Sequence, residues 1–340
     1  MNEELKQKLL ELAKREISLS DICDILKINK LEAFAIVKSL RDDGINIVTK
    51  DRDNDIYLFN NGEREFKDGS VYKFKTNKNN EFKFAAISDT RIGSKSQQLS
   101  ILNDIYTKAY EEGYNNIIHC GNITEGLYPV TSKYDETTFL KDTLKQVDYI
   151  IKNYPYIEGV NTYFLTGKKD EIHLKKNKLN IGKRIAFARP DMIYLGDISC
   201  LIDIDNVRMM VLNSKLAKTY TKSYRPQQQI KSYRSEDKPN ILLYGGLMDA
   251  QKLTRRDVHC LTVPSVCATT DEMNDRRYSN TVGVWYVTVK TNEKGDLEKF
   301  DAYISPYYIT GKDDYIKPKM LTKILKKGEK NEKRYRWKIY

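Results

Sequence analysis

Histidine and cysteine are scarce in this sequence of 340 residues, with three of the first and five of the second. The cysteines (Cys23, Cys120, Cys200, Cys260 and Cys267) are odd in number, scattered, and never in a C-x-x-C pair. That spacing argues for reduced thiols in a cytosol-like compartment and against a structural zinc site. His119, His173 and His259 form no spaced pair, so each reads as a packing or surface residue, with His173 expected in a polar loop. Long apolar runs are also missing. No stretch of eighteen or more apolar residues exists to span a bilayer. The opening MNEELKQKLLELAKRE lacks the apolar core and cleavage site of a secretion signal. A cytoplasmic chain without a membrane partner is expected, and no repeat or low-complexity segment is visible.

The hydrophobic fraction of 40% and charged fraction of 31% are those of a soluble globular protein. Net charge is +11, which points to an acidic partner, and its distribution matters more than its sum. Residues 1–75 carry 14 Lys and Arg against 15 Asp and Glu, while residues 312–340 carry 11 against 4. The basic footprint is mainly C-terminal.

The first 62 residues read as a helix, a helix–turn–helix and a hairpin. Leu5, Leu9, Leu10 and Leu12 share a helical face. Ser18 or Ser20 is placed to cap a second helix with Ile22, Ile25 and Leu26 on its apolar side. After the turn INK, Phe34, Val37 and Leu40 recur at helical spacing up to Gly44, a helix stop. INIVTK and DIYLFN then read as short strands around DRDN. This order resembles a winged helix–turn–helix. In that module the helix after the turn, here Lys30 to Arg41, enters the major groove and the wing touches the backbone. The resemblance makes Lys27, Lys30, Lys38 and Arg41, with Lys50 and Arg52 in the wing, candidate phosphate contacts. The face expected to meet bases offers Glu32, Ala33, Ala35 and Ile36, which is poor in base-reading donors. A winged helix used for dimerisation or protein docking therefore stays open beside DNA contact.

Residues 63–80 are polar and rich in Gly, Asn and Lys, and read as a linker. From 81 to 311, strand-like runs alternate with helical patterns, among them helices over Ser96 to Glu112, Glu136 to Lys152 and Tyr224 to Arg234. A final hairpin is expected around NEKGD. The rhythm implies an α/β domain with sheets inside and helices outside. Several strand ends carry short polar motifs: Asp89-Thr90-Arg91, Gly121-Asn122, Gly167-Lys168-Lys169-Asp170, Asn213, and Gly246 with Met248.

In order and surroundings these motifs resemble those of the calcineurin-like metallophosphoesterase family, over roughly Phe82 to Tyr308. The resemblance implies an α/β/β/α sandwich and a site for two divalent ions about 3.5–4 Å apart that cleave phosphate esters. The family has Asp-x-His where this chain has Asp89 and Arg91, and a bridging Asp where it has Asn122. It has Asn-His where Lys168 and Lys169 stand, His where Asn213 stands, and Gly-His-x-His where Gly246 and Met248 stand. Among these positions only Asp89 keeps the family's residue. Asp89, Asn122 and Asn213 are oxygen donors for at most one weak Mg²⁺, and Arg91 with two lysines opposes it. The expectation is an inactive pseudoenzyme that uses no metal and no other cofactor.

The replacements put Arg91, Lys168 and Lys169 where metal charge would sit. One reading pairs them internally, Arg91 with Asp89 or a lysine with Asp170. The other makes them a phosphate-binding pocket. Two further stretches, the tail KPKMLTKILKKGEKNEKRYRWKIY within 312–340 and KTYTKSYRPQQQIKSYR, mix basic and aromatic residues that suit nucleic acid. Solvated charge, or an amphipathic helix docking on the body, explains them equally. The leading expectation is a non-catalytic DNA-binding protein with a winged helix and a basic body, acting in replication initiation or regulation of a plasmid or phage. Its expected partners are double-stranded DNA and a second copy or replication proteins. The alternative is a protein-interaction scaffold, and a third reading keeps altered metal chemistry.

Overall fold

Two units divide the chain, Met1–Val71 and Tyr72–Tyr340, in the computed structural model, which describes residues 3–13, 17–42, 45–52, 55–63, 71–216, 219–311 and 314. The basic tail expected over 312–340 lies outside the described residues apart from Asp314. That carboxylate accepts the Ser100 backbone N–H at 3.0 Å and its hydroxyl at 2.5 Å. The contact supplies an anionic partner to the first turn of a helix.

The first unit runs α1 (Glu3–Leu12), β1 (Ile17–Ser18), α2 (Leu19–Leu26), α3 (Lys30–Asp42), β2 (Ile45–Arg52) and β3 (Asp55–Glu63). Its three strands form an antiparallel sheet of order β1-β3-β2. Of the two serines expected at the start of α2, Ser18 is the cap, accepting the Asp21 N–H at 3.0 Å. Lys27 ends α2 in the left-handed region, φ 52°. Asn29 and Glu32 exchange side-chain-to-backbone hydrogen bonds of 2.9 Å at the start of α3, a reciprocal arrangement that satisfies two otherwise orphaned donors.

The inward stripe of α3 is Ala33, Ile36, Val37 and Leu40, all buried against Leu9, Leu19, Ile22 and Leu58. Ala33 and Ile36 therefore do not face outward as expected. Leu31 (83% exposed) and Phe34 (40% exposed) do. Spacing of i, i+3, i+4 and i+7 decides the buried face, and it starts one residue earlier than the Phe34–Val37–Leu40 reading.

In the second unit, β4 (Tyr72–Phe74) lies within the segment expected to be a linker. It pairs in parallel with β9 (Ser199–Ile204), and Thr76 donates its hydroxyl to Asp205 at 2.6 Å. Alternating Tyr72 and Phe74 give those few residues an apolar face, so they are bound into the sheet. The chain continues through β5 (Glu81–Ile87), α4 (Leu99–Glu111), β6 (Asn116–His119), α5 (Thr143–Asn153), β7 (Asn161–Thr166), α6 (Glu171–Asn177), α7 (Ile181–Ala188) and β8 (Met192–Asp197). After β9 come β10 (Val207–Asn213), α8 (Tyr224–Ser232), β11 (Ile241–Gly245), β12 (Gln251–Arg255), β13 (Val258–Thr262), α9 (Asp271–Asp275), β14 (Gly283–Thr291) and β15 (Leu297–Pro306).

The helix expected from Glu136 begins later, because Asp142 caps α5 by accepting the Lys145 N–H at 3.0 Å. A short 3₁₀ turn, Asp135–Thr137, precedes it. His173 sits buried in α6, not in a polar loop.

The strands build two mixed six-stranded sheets, β15-β14-β5-β6-β7-β8 and β12-β13-β11-β10-β9-β4. Alternation along β5 shows why they stack. Phe82, Phe84 and Ala86 face a core shared with Ile202, Met209, Val211 and Leu243 of the second sheet. Ala85 and Ile87 face α4, α5 and α7 through Leu102, Val147 and Ile185. Ile230 of α8 covers the far side of the second sheet at Leu242 and Cys260. The result is an α/β/β/α arrangement. Within it, β5, β6 and β7 run parallel, as do β10 and β11, which brings the polar motifs at their C-terminal ends to one rim. No described helix is long and apolar enough to cross a membrane.

Candidate functional site

The rim is made of tight loops. Asp89, Arg91, Asn122 and Met248 all take positive φ, at 49°, 46°, 57° and 57°, beside Gly121 at 91° and Gly246 at 82°. Side chains with a Cβ rarely adopt this region, and such clusters mark functional positions. Gly167 is required by close approach: a Cβ there would lie 2.6 Å from the Asn122 nitrogen and 2.7 Å from Asn213 Oδ1.

Asp89 is fully buried after β5. Ser88 Oγ donates to its Oδ2 at 2.9 Å, and Asn122 Nδ2 donates to its Oδ1 at 2.9 Å. The Asn122 oxygen accepts the Lys169 backbone N–H at 3.0 Å. Asn213 donates to the Cys120 carbonyl at 2.6 Å and accepts the Lys168 N–H at 3.4 Å. Both asparagines therefore tie one loop to another.

Arg91 is buried with its Nε 3.4 Å from Asp89 Oδ1, its Nη1 3.6 Å from Glu125 Oε2, and its Nη2 donating to Met248 Sδ at 3.5 Å. Burial alone would lower its pKa, but Glu125 and Asp89 more than offset that and hold it charged. Lys169 Nζ lies 3.1 Å from Glu125 Oε1 and 2.9 Å from Glu272 Oε2, and stands 4.4 Å above the Tyr128 ring. Tyr128 donates to Glu125 at 2.6 Å and lies 2.9 Å from Glu272. For Glu272, burial opposes ionisation, yet Lys169, Tyr128 and Arg91 pull its pKa down to about 2.

Arg91 and Lys169 thus come together, but Lys168 does not: its side chain is exposed. The lysine–Asp170 pairing is corrected too. Asp170 is buried and accepts the N–H groups of Ile123, Thr124 and Gly167 at 3.0, 2.8 and 2.7 Å, with the Thr124 hydroxyl at 2.6 Å. A carboxylate so surrounded by donors needs no lysine, and Lys169 turns to Glu125 and Glu272. Those two acids and Tyr128 were missed in the sequence. HCGNITEG contains Glu125, but nothing in its spacing says that it folds back on Arg91.

Arg91 and Lys169 here face three carboxylates, and Arg276 adds a third cation at Glu272, 3.2 Å away. A two-metal centre needs oxygen and nitrogen donors free to converge on an ion, and these residues do not fit one. The guanidinium of Arg91 stands between Asp89 and Glu125, and both asparagine oxygens are taken by backbone N–H groups. Among the described residues, no group of three or more His, Cys, Asp or Glu is placed to hold a metal. His119 is buried and neutral, pushed down to about 3 by burial. Its Nδ1 accepts the Gly121 N–H at 3.1 Å and its Nε2 lies 3.0 Å from Thr90 Oγ1. Since that hydroxyl donates to the Ile123 carbonyl, the imidazole donates from Nε2 and serves packing.

Of the expected DNA contacts, Lys27 and Lys30 are exposed at the turn between α2 and α3. The side chains of Lys38, Arg41, Lys50 and Arg52 lie outside the described residues.

No protein-family model and no curated protein matches the sequence. Solved structures similar to it include an archaeal phosphodiesterase, at TM-score 0.38 and 12% identity, covering 66% of this chain and 100% of that one. Zinc-bound Vps29 from Entamoeba histolytica follows at 0.34 and 10%, covering 66% and 99%. Vacuolar protein sorting 29 from Cryptosporidium parvum gives 0.32 and 11%, covering 66% and 98%. Similarity at this level carries no functional weight, so the chemistry has to be argued from the chain's own residues.

Proposed function

We propose that this chain is a non-catalytic, phosphoesterase-like protein that binds duplex DNA through its N-terminal unit, acting as a winged helix–turn–helix. The observation that carries the DNA reading is the order α1-β1-α2-α3-β2-β3 with sheet order β1-β3-β2. It sets a helix after a tight turn, with Lys27 and Lys30 exposed beside it, and a β2–β3 hairpin for a wing. The loss of catalysis rests on the closed ion cluster: Arg91 and Lys169 take up the carboxylates that metals would need. Replication initiation or regulation on a plasmid or phage is the role that suits such a protein. Four buried free cysteines, Cys120, Cys200, Cys260 and Cys267, support a reducing cytoplasmic setting. The basic tail would add backbone attraction.

Electrophoretic mobility shift on random duplex over a salt series tests this reading. Binding should fall steeply with salt, and a Lys27→Ala/Lys30→Ala protein should lose about 2 from the log–log slope, near 0.9 per phosphate contact. No shift on any duplex at low salt would sink it. Manganese-stimulated phosphodiester hydrolysis that disappears in Asp89→Ala would overturn the non-catalytic part.

One observation favours a second reading. Leu31 and Phe34, three residues apart, present an apolar face outward on α3, with Ile25 exposed on α2. Such a face suits a protein partner better than base edges. If α3 docks protein, Leu31→Glu/Phe34→Glu will change oligomeric state or partner binding and leave duplex binding as it was.

A further inference from the structure

Beside the ion cluster, and joined to it through Arg276, a pocket of about 270 Å³ opens between the loop after β10, the loop after β11 and the segment after α9. That volume is near the lower end of small-molecule sites, about 300–1,000 Å³. It holds one ring system with its substituents and leaves the rest of a ligand in solvent.

Its lining combines three chemistries. Leu247 is a buried apolar floor, and Tyr220 stands fully exposed at the mouth. Arg277 lines the wall in the left-handed region, φ 52°, and its guanidinium makes no ion pair among the described residues. Its neighbour Arg276 is instead committed to Glu272 at 3.2 Å. The third element is Asp249, 9% exposed. Lys222 Nζ donates to its Oδ1 at 3.1 Å, while its Oδ2 is buried without a hydrogen-bond partner. A buried carboxylate oxygen left unsatisfied is costly, and a ligand N–H supplies what it lacks.

A ligand that uses all three must be planar, carry an N–H donor at its edge and bear an anionic group. Sugar phosphates lack the plane, and simple aromatic acids lack the donor. We propose that this pocket binds a nucleotide, with its phosphate on Arg277, its base against Tyr220 and Leu247, and a base N–H donated to Asp249 Oδ2. Aromatic stacking accepts any base, and the guanidinium suits a terminal phosphate in two-pronged contact. The same chemistry is met in a free nucleoside monophosphate and in the phosphorylated end of a single strand. The site lies wholly in the second unit and stands independently of duplex binding by the first.

The test is calorimetric titration of the full chain with AMP, GMP, inorganic phosphate and a short single-stranded oligonucleotide with a terminal phosphate. AMP or GMP should bind at least about tenfold more tightly than inorganic phosphate, because stacking adds to the phosphate contact. Arg277→Ala and Tyr220→Ala should each weaken binding about tenfold. Both side chains point to solvent, and unchanged thermal unfolding will confirm intact folding. Asp249→Asn should weaken AMP and GMP and leave inorganic phosphate, which cannot place a base N–H there, unchanged. Variant-sensitive binding of the oligonucleotide alone would assign the ligand to a strand end. Absence of binding by all nucleotide probes, or binding indifferent to Arg277→Ala and Tyr220→Ala, would overturn the proposal. Lys27→Ala/Lys30→Ala should leave AMP binding intact, which separates failure here from failure of the DNA reading.

Discussion

Arg91 and Arg277 are both arginines on the same rim of one unit, and they differ in every respect that matters for binding. Arg91 is buried between Asp89 and Glu125, so its charge is spent inside the protein. Arg277 is exposed and has no ion pair among the described residues, and Asp249, which lines the same pocket, keeps its Oδ2 without a donor. A cation becomes a binding group by lacking a protein counter-ion, not by standing at a strand end on the rim. The cluster around Arg91 is consequently a matter of stability, and the pocket beside Arg277 a matter of recognition.

The strongest way to break that contrast is Arg91→Ala. It leaves Asp89 buried without a cation and Glu125 with Lys169 alone, and removal of one member of a buried ion pair costs about 3–5 kcal/mol. Urea denaturation should show it, or the protein should fail to accumulate folded. Adding Asp89→Asn should recover part of the loss, since the uncompensated charge then disappears. A loss below about 1 kcal/mol would mean the cluster is held by something other than charge pairing.

Next in size is a pH effect at the buried histidines. His119 and His173 are held down to about 3 and about 4 by burial, below the ordinary 6.5. The unfolded chain therefore binds protons that the folded one refuses, and stability falls as pH drops from 6.5 towards those values. At pH 4 each histidine accounts for roughly 3 kcal/mol of that loss. Asp170 acts in the opposite sense, because burial raises it to about 6 from 3.8 and its penalty is relieved on acidification. The histidine part is isolated by comparing wild type with His119→Asn, whose amide oxygen can still accept the Gly121 N–H. The variant should lose less stability between pH 7 and pH 4. An equal loss would place the acid sensitivity elsewhere.

Asp170→Asn probes a carboxylate whose partners are all donors. The amide turns an NH₂ group towards backbone N–H groups, at a cost of about 2 kcal/mol. Thermal unfolding reads it, and it should leave nucleotide binding at the Arg277 pocket unchanged.

The layered sheets were legible because strands such as FKFAAIS and VRMMVLN alternate or run apolar in patterns that only stacked sheets satisfy. The rim was legible in part. Asp89, Arg91, Asn122 and Asn213 stand at strand ends, and parallel pairing brings strand ends together. What stayed hidden has physical causes. Glu125 and Glu272 lie 147 residues apart in the sequence, and nothing local says that both meet Lys169. The β12–β13 hairpin turns on Arg256 and Asp257, at φ 49° and 60°, with no Asn-Gly or Asp-Gly to announce it. Helix α7 was passed over because its cap, Asn180, accepting the Lys183 N–H at 3.0 Å, is embedded in a lysine-rich stretch that reads as loop. Asp249 looks in sequence like any acid after a strand. Its orphaned oxygen exists only once the loops around it have closed.

The smallest effect belongs to Lys168. By sequence it is the twin of Lys169, one residue away after the same strand. In the fold the two face different surroundings: Lys169 reaches Glu125, Glu272 and the Tyr128 ring, whereas Lys168 is exposed and contributes a backbone N–H to Asn213. That N–H survives side-chain truncation. Lys168→Ala should therefore shift stability by less than about 0.5 kcal/mol, with Lys169→Ala clearly worse because it takes one of two cations from both the buried Glu125 and the partly buried Glu272. Parallel denaturation of the two variants decides the matter. Equal losses would mean that position in the motif, and not the set of partners, governs what a lysine does on this rim.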